Sequence, residues 1–153
     1  MERPLVLLAD DNDATCALVA AILQRDFNLD IATDGSEAIE KLRVREYAAV
    51  LLDLRMPHID GFGVLEFLAC DRPELIQRVL VLTASLSRQE IDRVRTFAVA
   101  GIIPKPFEVE MLLETVRQCT SSEGVQPHLR GPLLSGGMIL LLGEILRNRW
   151  LLP

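Results

Sequence analysis

Residues 48–57 read Ala-Ala-Val-Leu-Leu-Asp-Leu-Arg-Met-Pro, an apolar run that ends on one aspartate, Asp53. Because consecutive residues of a strand point to opposite faces, a strand without polar residues is buried on both sides. This pattern is typical of a parallel sheet covered by helices, since a sheet with one face in water alternates polar and apolar residues. Four further segments resemble strands, of which 28–32 is half-polar and 101–103 is a weaker apolar run. The predicted strands are therefore 5–9, 28–32, 48–52, 79–82 and 101–103.

Segments of helical period lie between these strands. Apolar residues recur three and four positions apart in two stretches, Ala14, Leu18, Ala21 and Ile22, and Val109, Leu112, Leu113 and Val116. A turn at 34–36 opens a helix near 37–45, and Pro73 closes the segment 62–70. Five alternating strand and helix units predict an α/β fold with a doubly wound parallel sheet and a ligand site at the carboxyl ends of its strands.

The length of 153 residues suits one domain with a short appendage. We expect a globular domain over 1–119, a linker rich in serine, glycine and proline over 120–137, and a short amphipathic helix or tail over 138–153. The apolar stripe of that last segment could dock on a partner, form a homodimer or pack against its own domain, and we favour the last two. The fourth and fifth helices of the domain are the alternative homodimer surface.

The composition excludes several classes of function. A formal net charge of −6, with acidic residues spread along the chain, argues against direct nucleic-acid binding. The three cysteines, Cys16, Cys70 and Cys119, match neither a disulfide framework nor a zinc-ligand pattern, which fits a reducing compartment. No uninterrupted apolar stretch reaches the roughly 20 residues of a membrane span, so we expect a soluble, cytoplasmic protein.

Carboxylates follow two strands that are neighbours in the predicted sheet. Asp10 and Asp11 come directly after the first strand, and Asp53 comes directly after the third. Two carboxylates about 5 Å apart repel by roughly 3 kcal/mol at an effective dielectric constant of 20, so such a cluster calls for a cation. Mg²⁺ is the predicted ion, because it takes oxygen ligands from one or two carboxylates together with water and phosphate, and no EF-hand loop for calcium is present.

The fourth strand leads to a hydroxyl group, that of Thr83, and the fifth leads to an ammonium group, that of Lys105. A carboxylate nucleophile, a divalent cation, an ammonium and a hydroxyl are the groups needed to accept a phosphoryl group. Taken singly, these aspartates and Thr83 are more simply explained as helix caps, and Lys105 as a solvated lysine in a proline-rich turn. Their joint occurrence at four strand ends favours one site.

Over about residues 4–119 the sequence resembles the response-regulator receiver family of two-component signalling. The residues that carry the resemblance are Asp10-Asp11, Asp53 within Asp-Leu-Arg-Met-Pro, Asp60-Gly61, Thr83-Ala84 and Lys105-Pro106-Phe107. Each of these signals is weak alone, but five in the right order are specific. The resemblance implies a CheY-like, flavodoxin-like sheet of order 2-1-3-4-5 flanked by five helices.

The resemblance also implies a role for each site residue. Asp53 would be the phosphoacceptor, Asp11 a direct Mg²⁺ ligand, Asp10 a ligand mainly through water, and the backbone carbonyl of Arg55 a further ligand. Thr83 and Lys105 would bind the phosphoryl oxygens. A cis peptide bond between Lys105 and Pro106 is a further expectation, and only a bond to proline makes it plausible.

The implied function is a phosphorylation-activated switch with slow autodephosphorylation and no other enzymatic activity. The phosphoryl group would come from a sensor histidine kinase, a phosphotransfer protein or a small phosphodonor, and the signal would pass to a downstream protein target. An aspartate-nucleophile phosphatase is a weaker alternative, because it needs a second aspartate where this chain has Arg55. A docking module that works without phosphorylation is the other alternative.

One position departs from the family pattern. Receivers usually carry an aromatic residue three positions before the lysine, and its rotation reports movement of the hydroxyl residue. Here that position is Ile102. Either Ile102 transmits the signal by a smaller packing change, or the output surface is biased toward one state.

Overall fold

The computed structural model describes residues 2–84 and 86–121. The chain divides into two units, Met1–Ser121 and Ser122–Pro153, and the described residues all belong to the first. The predicted helix 138–153, and all but the first two residues of the predicted linker 120–137, lie outside the described residues.

The first unit is built on a parallel sheet of five strands in the part of the chain described. The strands are β1 (Leu5–Ala9), β2 (Asn28–Ala32), β3 (Ala49–Asp53), β4 (Val79–Thr83) and β5 (Gly101–Pro104). Their order is β2-β1-β3-β4-β5, which confirms the predicted doubly wound α/β fold. All residues of β3 and β4 are buried, whereas most of β2 is only partly buried because it forms an edge of the sheet. Its edge position explains the half-polar sequence.

Five α-helices flank the sheet within the described ranges; four lie between strands, and the last follows β5. They are α1 (Asp13–Leu23), α2 (Gly35–Val44), α3 (Gly61–Asp71), α4 (Arg88–Thr96) and α5 (Val109–Ser121), and a 3-10 helix at Pro73–Arg78 precedes β4. The first four helices begin after a residue whose side chain accepts a backbone N–H of the first turn, namely Asn12, Asp34, Asp60 and Ser87. Such caps satisfy amide groups that have no partner within the helix.

The core has two layers, one on each face of the sheet. One layer joins α1 and α5 to alternate strand residues, and it includes Val6, Leu8, Leu51, Leu82, Ile103, Val19, Leu23, Leu112 and Val116. The intervening strand residues are fully buried on the opposite face, as Leu7, Val50, Leu52 and Val81 show. Burying one such side chain contributes about 1.5–3 kcal/mol, so the two layers stabilise the sheet from both faces.

A polar network attaches the edge strand β2 to α2. Asp30 accepts hydrogen bonds from the Lys41 ammonium at 2.9 Å and from the Tyr47 hydroxyl at 2.7 Å, and Arg45 lies 3.3 Å away. Burial alone would raise the pKa of Asp30, but the hydrogen bonds from Lys41 and Tyr47 outweigh it and lower that pKa. Burial, and then the hydrogen bond to Asp30, raise the pKa of Tyr47. The network therefore holds Asp30 in its charged form.

Candidate functional site

The strand register brings four strand ends to one edge of the sheet. Ala9 pairs with Leu52, so Asp10 follows β1 beside the end of β3. Asp53 pairs with Leu82, which places it next to the end of β4. Thr83 pairs with Pro104, and Lys105 is the next residue. Asp10, Asp53, Thr83 and Lys105 therefore all lie at the carboxyl edge of the sheet.

Three carboxylates form a cluster at this edge. One oxygen from each of Asp10, Asp11 and Asp53 can be chosen so that all three lie within 4.8 Å of one another. Asp10 is fully buried and Asp53 is 8% exposed, whereas Asp11 is exposed. Two buried carboxylates beside a third are costly without positive charge, because their hydration has been lost.

Lys105 supplies part of that positive charge. Its ammonium lies 2.7 Å from Asp10 Oδ2 and 3.8 Å from Asp53 Oδ2, and its side chain is only 18% exposed. The bond between Lys105 and Pro106 is cis. The amine thus stands between the two buried carboxylates, which sequence reasoning had assigned to a common site.

The Asp53 carboxylate is held by the loop that follows it. The backbone N–H of Arg55 donates a hydrogen bond to Asp53 Oδ1 at 3.2 Å. Burial raises the pKa of Asp53, and Asp10 and Asp11 raise it further, while the Arg55 N–H and the Lys105 ammonium lower it without cancelling the rise. The Arg55 guanidinium points elsewhere, to Glu90 of α4 at 3.5 Å. A cation beside Asp53 would favour its charged, nucleophilic form.

Thr83 is the last residue of β4 and is 6% exposed. Its backbone carbonyl accepts the N–H of Lys105 at 2.6 Å. The hydroxyl-bearing residue and the lysine are therefore joined through their backbones, at the end of adjacent strands.

Sequence reasoning missed one residue that orients the site. The N–H of Asn12 donates to Asp10 Oδ1 at 2.9 Å, and the Asn12 side chain caps α1 by accepting the N–H of Thr15. Asp11 therefore does not cap α1, so that alternative is wrong. Asp60 caps α3 and Ser87 caps α4, so Asp53 and Thr83 are not the caps of these helices either. Asparagine is a favoured cap, so the signal was present in the sequence.

The donor set suits a hard cation. The cluster offers carboxylate oxygens, and the Arg55 carbonyl belongs to the same loop; hard ions of the Mg²⁺ class take such ligands. Oxygens bound directly to one Mg²⁺ lie at most about 4.2 Å apart, because each bond is 2.0–2.1 Å long. The three oxygens lie within 4.8 Å of one another, which is compatible with direct ligation of one ion and with one carboxylate that binds through water.

A doubly wound sheet of order 2-1-3-4-5 with an acidic cluster and a lysine at its carboxyl edge defines the class of receiver-like α/β proteins. The family model described as the response regulator receiver domain matches residues 6–117, which is more than half of the chain. The chain belongs to this family, whose members are the regulatory receivers of two-component systems.

Relatives of known name agree with this assignment. The chain is 32% identical over 134 residues to the transcriptional regulatory protein SrrA of Staphylococcus aureus, with 82% of this chain and 54% of SrrA covered. It is 30% identical over 115 residues to the transcriptional regulatory protein ZraR of Escherichia coli O157:H7, with 74% and 25% covered. The chain therefore spans about half of SrrA and a quarter of ZraR.

Among solved structures, the non-phosphorylated HemR receiver domain from Leptospira biflexa superposes with a TM-score of 0.73 at 29% identity. The match covers 81% of this chain and 99% of that domain. Among the residues described, we find no helix with both the length and the apolar character needed to cross a bilayer.

Proposed function

We propose that this chain is a phosphorylation-controlled switch in which Asp53 accepts a phosphoryl group in a Mg²⁺-dependent reaction. The observation that carries the proposal is the 3.8 Å approach of the Lys105 ammonium to the Asp53 carboxylate, inside a cluster with Asp10 and Asp11. Catalysis of phosphoryl transfer depends mainly on positioning the nucleophile and neutralising negative charge. These residues supply both.

The reaction makes one bond and breaks one bond. A carboxylate oxygen of Asp53 attacks phosphorus, the bond from phosphorus to the donor's leaving group breaks, and the leaving group departs with its electron pair. Lys105 and Thr83 bind the equatorial phosphoryl oxygens, where negative charge is spread in the transition state. Mg²⁺ held by Asp11, Asp53 and the Arg55 carbonyl, with Asp10 acting mainly through water, would neutralise the remaining charge.

The product is an acyl phosphate that is slowly hydrolysed, so the protein regulates and does not turn over a substrate. The phosphoryl group carries nearly two negative charges and several acceptor oxygens. It draws the Lys105 ammonium from Asp10 toward phosphate and recruits the Thr83 hydroxyl, which moves the ends of β4 and β5. Hydrogen bonds to charged groups contribute about 1.5–3 kcal/mol each, so two or three approach the roughly 5.5 kcal/mol that shifts a population from 1:99 to 99:1.

The partners follow from this chemistry and from the family. A sensor histidine kinase, a phosphotransfer protein or a small phosphodonor supplies the phosphoryl group, and a downstream protein target reads the altered surface. The formal charge of −6 supports output through protein contacts over direct nucleic-acid binding. We assign these roles to a receiver domain over residues 1–119.

Peptide mapping after treatment with acetyl phosphate and Mg²⁺ tests the assignment. We expect a single acyl phosphate in the peptide that contains Asp53, and we expect hydroxylamine to remove it. An adduct that resists hydroxylamine, or one that maps to Asp10 or Asp11, would overturn the proposal.

A further inference from the structure

The loop that carries the Arg55 carbonyl is held at its far end by another part of the chain. This loop, residues 54–60, joins Asp53 at the end of β3 to α3. Near its end, the carbonyl of Ile59 accepts the backbone N–H of Gly35 at 3.0 Å. Gly35 is the first residue of α2, and its N–H has no acceptor within the helix. The phosphoacceptor loop thus rests on α2.

The contact leaves no room for a side chain at residue 35. A Cβ on Gly35 would lie 2.1 Å from the Ile59 oxygen, 2.7 Å from its carbonyl carbon and 2.8 Å from its Cβ. The first two atoms belong to the backbone, so rotation of a side chain cannot relieve the overlap. Any residue other than glycine must push the loop away from α2.

A displacement at Ile59 reaches the beginning of the loop, because the loop is closed on itself. The N–H of Gly61 donates to the Leu54 carbonyl at 3.0 Å. A Cβ on Gly61 would lie 2.4 Å from the Asp53 carbonyl oxygen, so this closure is also tight. Between the two contacts, His58 has a φ of 64°, an uncommon conformation for a residue other than glycine that indicates a constrained loop.

We propose that Gly35 is a positioning residue for the metal site: its close contact with the Ile59 backbone sets the loop geometry that presents the Arg55 carbonyl. The inference rests on the proposed function, because that function makes this carbonyl a ligand of Mg²⁺. Gly35 is not itself a ligand in this proposal, and it acts through its contact with the loop. Residues that orient metal ligands in this way typically change metal affinity by about 10- to 100-fold when altered.

The test compares Gly35→Ala with Gly101→Ala in the full chain. Gly101 is the matched control, since a Cβ there would meet only the flexible end of Leu80, at 3.3 Å. We expect the Mg²⁺ dissociation constant, measured by calorimetry, to rise about 10- to 100-fold in Gly35→Ala and to stay within about twofold in Gly101→Ala. Without any metal, the amide of Gly61 should exchange its hydrogen faster in Gly35→Ala only.

The outcomes separate this inference from the proposed function. A folded Gly35→Ala that binds Mg²⁺ like a functional wild type overturns the positioning role and leaves the proposed function standing. A wild type that binds no Mg²⁺ overturns both. In the absence of the clash, alanine at the start of α2 would stabilise the helix, so lower helix propensity cannot explain a loss.

A second pair of variants decides the question if Gly35→Ala does not fold. A Cβ on Gly63 would lie 2.5 Å from Ile59 Cγ2, which is a side-chain atom. We expect Gly63→Ala to lose Mg²⁺ affinity and Gly63→Ala combined with Ile59→Ala to regain it, because the shortened side chain removes the overlap. Unchanged affinity in Gly63→Ala, or no recovery in the double variant, overturns the proposal.

Discussion

Lys105 and Asp10, which are 95 residues apart in the sequence, form an ion pair of 2.7 Å at the carboxyl edge of the sheet. The pair is largely shielded from solvent, with Asp10 fully buried and Lys105 18% exposed. In this arrangement the ammonium group neutralises a carboxylate that the proposed Mg²⁺ site also uses. If the proposed function holds, lysine and cation would compete for the same negative charge.

Replacing Lys105 by methionine should strengthen Mg²⁺ binding, because it removes a positive charge from the cluster. We expect affinity about tenfold tighter, equal to about 1.4 kcal/mol, together with slower phosphoryl uptake by Asp53. Calorimetric titration and phosphorylation rates measure the two effects. Lys41→Met, which removes an ammonium bonded to Asp30, is the matched control and should leave Mg²⁺ affinity unchanged. Weaker Mg²⁺ binding in Lys105→Met would argue against the competition.

Asp30 should make stability fall in acid. Its pKa is lowered in the folded protein, so it stabilises the fold above the pKa of an unperturbed aspartate, about 3.9. That contribution is lost as the pH falls from there through the lowered folded-state pKa. At pH 7 we expect Asp30→Asn to reduce the free energy of unfolding by about 1–3 kcal/mol, since hydrogen bonds from Lys41 and Tyr47 lose their charged acceptor.

Urea denaturation at pH 7 and in acid measures this difference. The difference in the free energy of unfolding between wild type and Asp30→Asn should decrease as the pH falls below about 4. Asp92→Asn is the control, because Asp92 is 65% exposed and its partner Arg95 is 62% exposed. A gap of equal size at both pH values would show that Asp30 stabilises the fold by packing and not by charge.

Ile102 occupies the position where receivers usually carry an aromatic residue, and it is 8% exposed on β5. It pairs with Val81, and its side chain faces away from the layer that contains Ile103. We expect Ile102→Tyr to cost about 1–3 kcal/mol by overpacking. Ile102→Val should cost about 0.5–1.5 kcal/mol.

Urea denaturation of both variants at neutral pH checks this pair of values. Phosphoryl uptake by Asp53 should continue in each folded variant, because Ile102 lies outside the acidic cluster. If tyrosine is accepted without loss of stability, the space beside β5 is larger than the burial of Ile102 indicates.

The fold was largely predictable from the sequence because each central strand is an unbroken apolar run. The prediction for 48–52 was displaced by one residue, since β3 runs from Ala49 to Asp53 and Asp53 is its last residue. The ends of a strand depend on which of its residues pair with the neighbouring strands, so one segment alone does not fix them. Helix α4 was harder to delimit, because Ile91 and Val94 are its only buried residues.

The polar residues of the candidate site could be predicted from the sequence, but the backbone contacts that hold them in place could not. Polar residues after buried strands, such as Asp10 and Lys105, must meet when parallel strands end at one edge. The contact between Gly35 and Ile59 depends on how two loops meet in space. No local sequence pattern encodes such a distance. A glycine at the start of a helix is nevertheless a signal that another backbone segment comes close.

Intact-mass measurement with acetyl phosphate, with and without Mg²⁺, tests the central claim most directly when wild type and Asp53→Asn are compared. Asparagine keeps the size of the side chain and removes the nucleophilic carboxylate. The account predicts an added mass of one phosphoryl group in wild type, only when Mg²⁺ is present, and none in Asp53→Asn. An equal adduct in both proteins would contradict it.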